Sequence, residues 1–96
     1  MDLEFEWDEG KRLENIKKHK IDFEEAIEIF FGPTVTKLDT RQDYGEDRYI
    51  SMGQIDGFVV LVVVYVDKKT NIRRIISARR ATKNEQKVYY KRIFRG

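Results

Sequence analysis

The chain has 96 residues, room for one core and one site, since domains typically run to about 100–150 residues. With 41% hydrophobic and 38% charged residues it is too apolar for a disordered tail, and the lack of cysteine excludes disulfide frameworks, thiol catalysis and Cys-based zinc sites. The net charge of +2 hides a segregation: residues 1–67 hold 8 Lys/Arg and 16 Asp/Glu (8 − 16 = −8), whereas residues 68–96 hold 11 and 1 (11 − 1 = +10).

The first residues lack the basic start and apolar stretch of a signal peptide, and the longest apolar run, Phe58–Val66, is far short of the about 20 residues that span a bilayer. A single cytoplasmic domain over residues 1–96 is therefore expected, with no membrane contact. Leu3–Trp7 alternates apolar and acidic residues, which predicts a short edge strand. Asp8 is placed to cap a helix running to about Lys18, with Leu13 and Ile16 as a thin apolar stripe. Asp22-Phe-Glu-Glu25 reads as a variant capping box for a second helix. Its Phe23, Ala26, Ile27 and Phe30 keep helical spacing up to Gly32-Pro33.

Thr34–Leu38 is a candidate strand and Asp39–Asp47 a polar loop. Arg48–Ile55 and Phe58–Val66 flank Asp56-Gly57, a dipeptide suited to a type I′ hairpin turn. The second of these runs is apolar on both parities, so it predicts a central strand covered on both faces. Ile72–Arg79 follows as a further antiparallel strand, and Thr82-Lys-Asn-Glu85 is a capping box opening a last helix. Together these elements predict an α+β fold, an antiparallel meander of about four strands with three helices.

Chemistry is concentrated where the charge is. Strand alternation would put Arg73 and Arg79 on one face of the fifth run, and Arg74 and Arg80 on the other. These arginines lie beside a helix start rich in free N–H groups, a combination that holds phosphate, and Lys83 and Lys87 extend the basic surface. Tyr89, amid the cations, could stack on an unpaired base. The competing use of the arginines is salt bridging to the acidic first two-thirds. His19 is the only histidine; its imidazole suits proton transfer at a ribose 2′-OH, and it serves equally well as a helix C-cap. No calcium loop, Gly-rich phosphate loop or serine elbow is present, so the sequence offers neither metal nor cofactor site.

Phe5-Glu-Trp-Asp8 with Lys11 and Asn15, Lys18-His19, Phe23-Glu-Glu-Ala26, Gly45-Glu46 with Arg48, Gly53, and Arg74-Ile-Ile-Ser-Ala-Arg79-Arg-Ala-Thr82 with Glu85 and Tyr89 together resemble the BrnT toxins. The resemblance runs from Phe5 to about Tyr90. It implies a compact fold like that of RelE toxins, metal-independent endoribonuclease activity that blocks translation and growth, and a BrnA-like antitoxin partner through which alone the toxin meets DNA. The positions it offers for chemistry are Lys18, His19, Arg74, Arg79 and Tyr89 as catalytic groups. Of the residues expected to bind the RNA, Lys11, Arg48 and Glu85 come from the same resemblance, and Arg73, Arg80, Lys83 and Lys87 from the basic block. Two departures stand out: Arg73 occupies a position where the family favours an apolar residue, and Lys20 replaces a common glycine. The rival reading is a non-catalytic basic module that docks nucleic acid or an acidic protein.

Overall fold

The computed structural model describes residues 3–69 and 71–95. Its elements are β1 (Glu4–Trp7), α1 (Glu9–His19), α2 (Phe23–Ala26) running into a 3₁₀ turn (Ile27–Phe31), β2 (Thr34–Leu38), β3 (Tyr49–Ile55), β4 (Val59–Lys68), β5 (Ile72–Arg80) and α3 (Lys83–Phe94). They build one five-stranded sheet in the order β1-β5-β4-β3-β2. The four-strand, wholly antiparallel expectation is corrected: β2 to β5 form the meander, and β1 adds a fifth strand parallel to β5, pairing Glu4 with Ile72 through Trp7 with Ile75.

Local chemistry explains most of the boundaries. Asp8 caps α1 by accepting from Lys11 N at 3.0 Å. The capping boxes at Asp22/Glu25 and Thr82/Glu85 both form. Asp56 and Gly57 take φ of 48° and 79°, the left-handed pair that a I′ turn needs. α1 continues through His19, and the cap position falls on Lys20 at φ 61°, whose N–H donates to Ile16 O at 2.8 Å. The second helix departs from its predicted period. Phe23, Ala26 and Ile29 are the buried positions, a spacing of three, because the segment tightens into the 3₁₀ turn after one α turn.

β4 is central, and Val60–Val66 are all buried. On one face Leu61, Val63 and Tyr65 join Ile75 and Ala78 against Ile21, Phe23, Ala26 and Ile29. The 3₁₀ turn approaches β3 so closely that a Cβ at Gly53 would lie 2.5 Å from Ile29 Cβ. On the other face α3 places Tyr89 against Val60 and Val62. Among the described residues no helix is long and apolar enough to cross a membrane.

The register of β5 shifts between Tyr65↔Ile75 and Val64↔Ser77, leaving Ile76 as an extra residue. This bulge resets the alternation. Arg73, Ile75, Ala78 and Arg80 align with the α1/α2-side row of β4, and Arg74, Ser77 and Arg79 with the α3-side row. Arg73 and Arg79 therefore face opposite sides, which corrects the simple alternation expected from sequence.

Candidate active site

β1 pairs with β5 only as far as Ile75, so among the described residues the second half of β5 has no strand on that side. α1 fills the gap, and a single residue makes the join. Asn15, 6% exposed, donates Nδ2 to Ala78 O at 2.9 Å and to Ile21 O at 3.0 Å, while Ala78 N donates to Asn15 Oδ1 at 3.1 Å. The side-chain amide thus stands in for the missing strand, satisfying the backbone groups a sheet edge leaves open. With Asn15 fixed, Lys11 and Lys18, four residues before it and three after, lie along the same helix face.

Two cavities follow from this arrangement. One, of about 690 Å³, is lined by Lys11, Glu14, Asn15, Lys17, Lys18 and His19 from α1 and by Ile76 and Ser77 from the bulge. The second, of about 300 Å³, is lined by Asp8, Lys11, Glu46, Arg48, Lys68, Arg74 and Ile76. Lys11 and Ile76 belong to both, so the cavities adjoin along the bulged edge of β5. Of the residues singled out from sequence, Lys11, Lys18, His19, Arg48 and Arg74 come together here. Lys68, Lys17 and Asn15 complete the surroundings and were not singled out as site residues.

The remaining predicted residues lie elsewhere. Arg79 Nη1 and Nη2 each donate at 2.8 Å to Glu85, whose carboxylate also accepts from Thr82 N at 2.8 Å. The Arg79 guanidinium, foremost among these donors, holds the Glu85 carboxyl down to about 2. These two residues bind each other and fasten α3 to β5.

Tyr89 is a core residue, 2% exposed, its hydroxyl donating to Pro33 O at 2.9 Å and its phenol pushed up by burial. A base has no access to its ring, which corrects the stacking role. Arg73 lies over the rings of Tyr65 (4.3 Å) and Phe30 (4.7 Å) and donates to Asp67 at 2.7 Å, so it cements the core face instead of reaching for substrate. Arg80 is exposed on that same face, and Lys83 and Lys87 are exposed on α3; none lines either cavity.

Fold and recesses together define a small α+β protein whose adjoining cavities gather lysines, arginines and the only histidine into a cationic surface suited to a polyanion. Residues 7–85 match the family described as the ribonuclease toxin BrnT of type II toxin-antitoxin systems, and the chain belongs to that family. It is similar to the crystal structure of the Brucella abortus ribonuclease toxin BrnT, with TM-score 0.66 and 28% identity over 84% of this chain and 99% of that one. No curated protein matches. The protein is an endoribonuclease toxin whose counterpart is an antitoxin protein.

Proposed function

We propose that RNA is cut at the α1–β5 cavity by attack of a ribose 2′-OH on its own 3′-phosphate, with no metal taking part. The observation that supports this is the convergence of the only histidine with Lys11 and Lys18 beside the β5 bulge. In the step, the O2′–P bond forms and the P–O5′ bond breaks. His19 accepts the 2′-OH proton, Lys18 returns a proton to the departing 5′-oxygen, and Lys11 offsets the charge growing on the phosphoryl oxygens. The products are a 2′,3′-cyclic phosphate and a 5′-hydroxyl end, so neither water nor a cofactor enters the balance. The arginines of the adjoining cavity, Arg48 and Arg74, hold the backbone.

In the cell this activity belongs to the cytoplasm, where a BrnA-like antitoxin would block access of RNA to the cations and carry the complex to DNA. The measurement is cleavage of a mixed RNA pool by purified protein with EDTA present. His19→Gln and Lys18→Met should each lower the rate by about 100-fold or more, as loss of a general acid or base does, with binding retained. Wild-type rates in both variants overturn the assignment. Binding without fragments from the wild-type chain would favour a non-catalytic module.

A further inference from the structure

The ion pairs among the described residues fall into two groups. Arg12, Arg41, Arg73 and Arg79 each hold a carboxylate at 2.7–2.9 Å. Arg48 and Arg74 are different: their nearest acids, Glu46 and Glu6, stand 3.8 Å and 3.7 Å away, beyond hydrogen-bond reach. Both line the smaller cavity. Arg48 Nε is buried without any hydrogen-bond partner, an omission that desolvated guanidinium groups rarely show. Its side chain is 23% exposed and its guanidinium lies 4.1 Å from the centre of the Tyr44 ring, so its direction is set before any ligand arrives. Lys11 and Lys68 line the same cavity, giving four cations against the acids Asp8 and Glu46 (4 − 2 = +2). Asp8 is already engaged as the cap of α1.

We infer that this cavity is a second phosphate subsite, which holds a backbone phosphate flanking the scissile one. The inference rests on the cleavage site proposed above and names its substrate class: a single strand carrying at least one phosphate beyond the bond that breaks. A guanidinium held by a ring stack, with lysine and arginine donors beside it in the cavity, matches a phosphodiester's two free oxygens. Lys11, shared by both cavities, lies between the two phosphates. A duplex presents its phosphates on a fixed helical path, whereas a flexible strand can bend through two adjoining pockets at the bulged edge.

The test uses the full chain and short RNA strands 2′-O-methylated everywhere except at one cleavable nucleotide. A single uncharged methylphosphonate linkage is placed in turn at each non-scissile position. In the wild-type protein one flanking position should raise KM by about tenfold with kcat kept, the size expected for a charge-assisted contact. In Arg48→Gln the all-phosphate strand should show a similar KM, and the neutral linkage at that position should add nothing further. Lys68→Gln, at an exposed residue, should give a weaker version of the same result, which keeps the test open should Arg48→Gln not fold. Losses that multiply, or a wild-type protein indifferent to every flanking linkage, overturn the subsite. Wild-type cleavage by His19→Gln and Lys18→Met overturns the cleavage site instead, so the two failures are read on different variants.

Discussion

The α3-side face of the sheet has two halves with similar side chains and opposite habits. In the half under α3, Arg79 and Glu85 meet through two 2.8 Å bonds and their charges are spent on each other. In the half beside the β5 bulge, Arg48 and Arg74 keep their nearest acids at 3.7–3.8 Å, and Lys11 and Lys68 line the same space. Both halves are rich in arginine, so a count of positive charge along the chain does not separate them. Pairing does. A guanidinium matched to a carboxylate in a bidentate fork is a fastening, whereas one held in place without a bonded carboxylate is what the proposed phosphate subsite requires.

The sharpest way to break this comparison is to remove what builds the open half. Asn15→Ala strips Ala78 of both its edge partners and Ile21 O of its donor, three bonds in a nearly buried place. The expected loss is about 3 kcal/mol of unfolding free energy, measured by urea denaturation, since stranded buried groups cost about 1–3 kcal/mol each and the adjoining cavity lets water recover part of that. Cleavage should fall at temperatures where the variant is still folded, because Lys11, Lys18 and His19 ride on α1. Asn15→Asp keeps the bond accepted from Ala78 N but sets a carboxylate oxygen against Ala78 O and Ile21 O, so near neutral pH it should be at least as destabilised as Asn15→Ala.

Asn15 also shows where the sequence stops being legible. Its place in the family pattern was visible, but a polar residue in a charged helix reads as solvated, and the thin stripe of Leu13 and Ile16 was the sole sign that something else packs there. Leu13 proves to be exposed. Features decided within a few residues, such as Asp56-Gly57 and the capping boxes, were readable because their causes are local. The parallel pairing of β1 with β5 joins residues far apart in the chain, and a short alternating strand carries no signal of its neighbour. The bulge at Ile76 is equally silent, since a β-branched residue there looks like ordinary strand. Without the bulge the arginines of β5 sort onto the wrong faces, and the fastened pair cannot be told from the open one.

A smaller effect distinguishes the fastened half. Arg79→Gln should lower stability by up to about 1 kcal/mol, the scale of a partly exposed ion pair, and change kcat/KM by less than about threefold. Arg74→Gln at the open half should do the reverse, leaving the melting temperature nearly unchanged while raising KM. If Arg79→Gln abolished cleavage in a fully folded protein, the division of the face would be refuted and α3 would have to be part of the active site.

The smallest effect is a pH dependence confined to Glu85. Its folded carboxyl sits at about 2, below the usual value near 4.5, chiefly because Arg79 donates to it. A depressed folded value means that the unfolded chain binds the proton first on acidification. The contribution is therefore complete above about pH 4.5 and is lost as pH falls towards 2. With the Glu85 side chain 32% exposed, solvent screening limits the contribution to about 1 kcal/mol or less. The gap in stability between the wild type and Glu85→Gln should be constant from pH 7 to 5 and narrow steadily between pH 4.5 and 2 as the wild-type carboxyl protonates. Arg48→Gln should leave that narrowing unchanged, because the Glu85 carboxyl is held down by Arg79 and Thr82 and not by Arg48. A gap that stayed level to pH 2 would mean the Arg79–Glu85 fork does not form in solution, and the two halves of the face would then be alike.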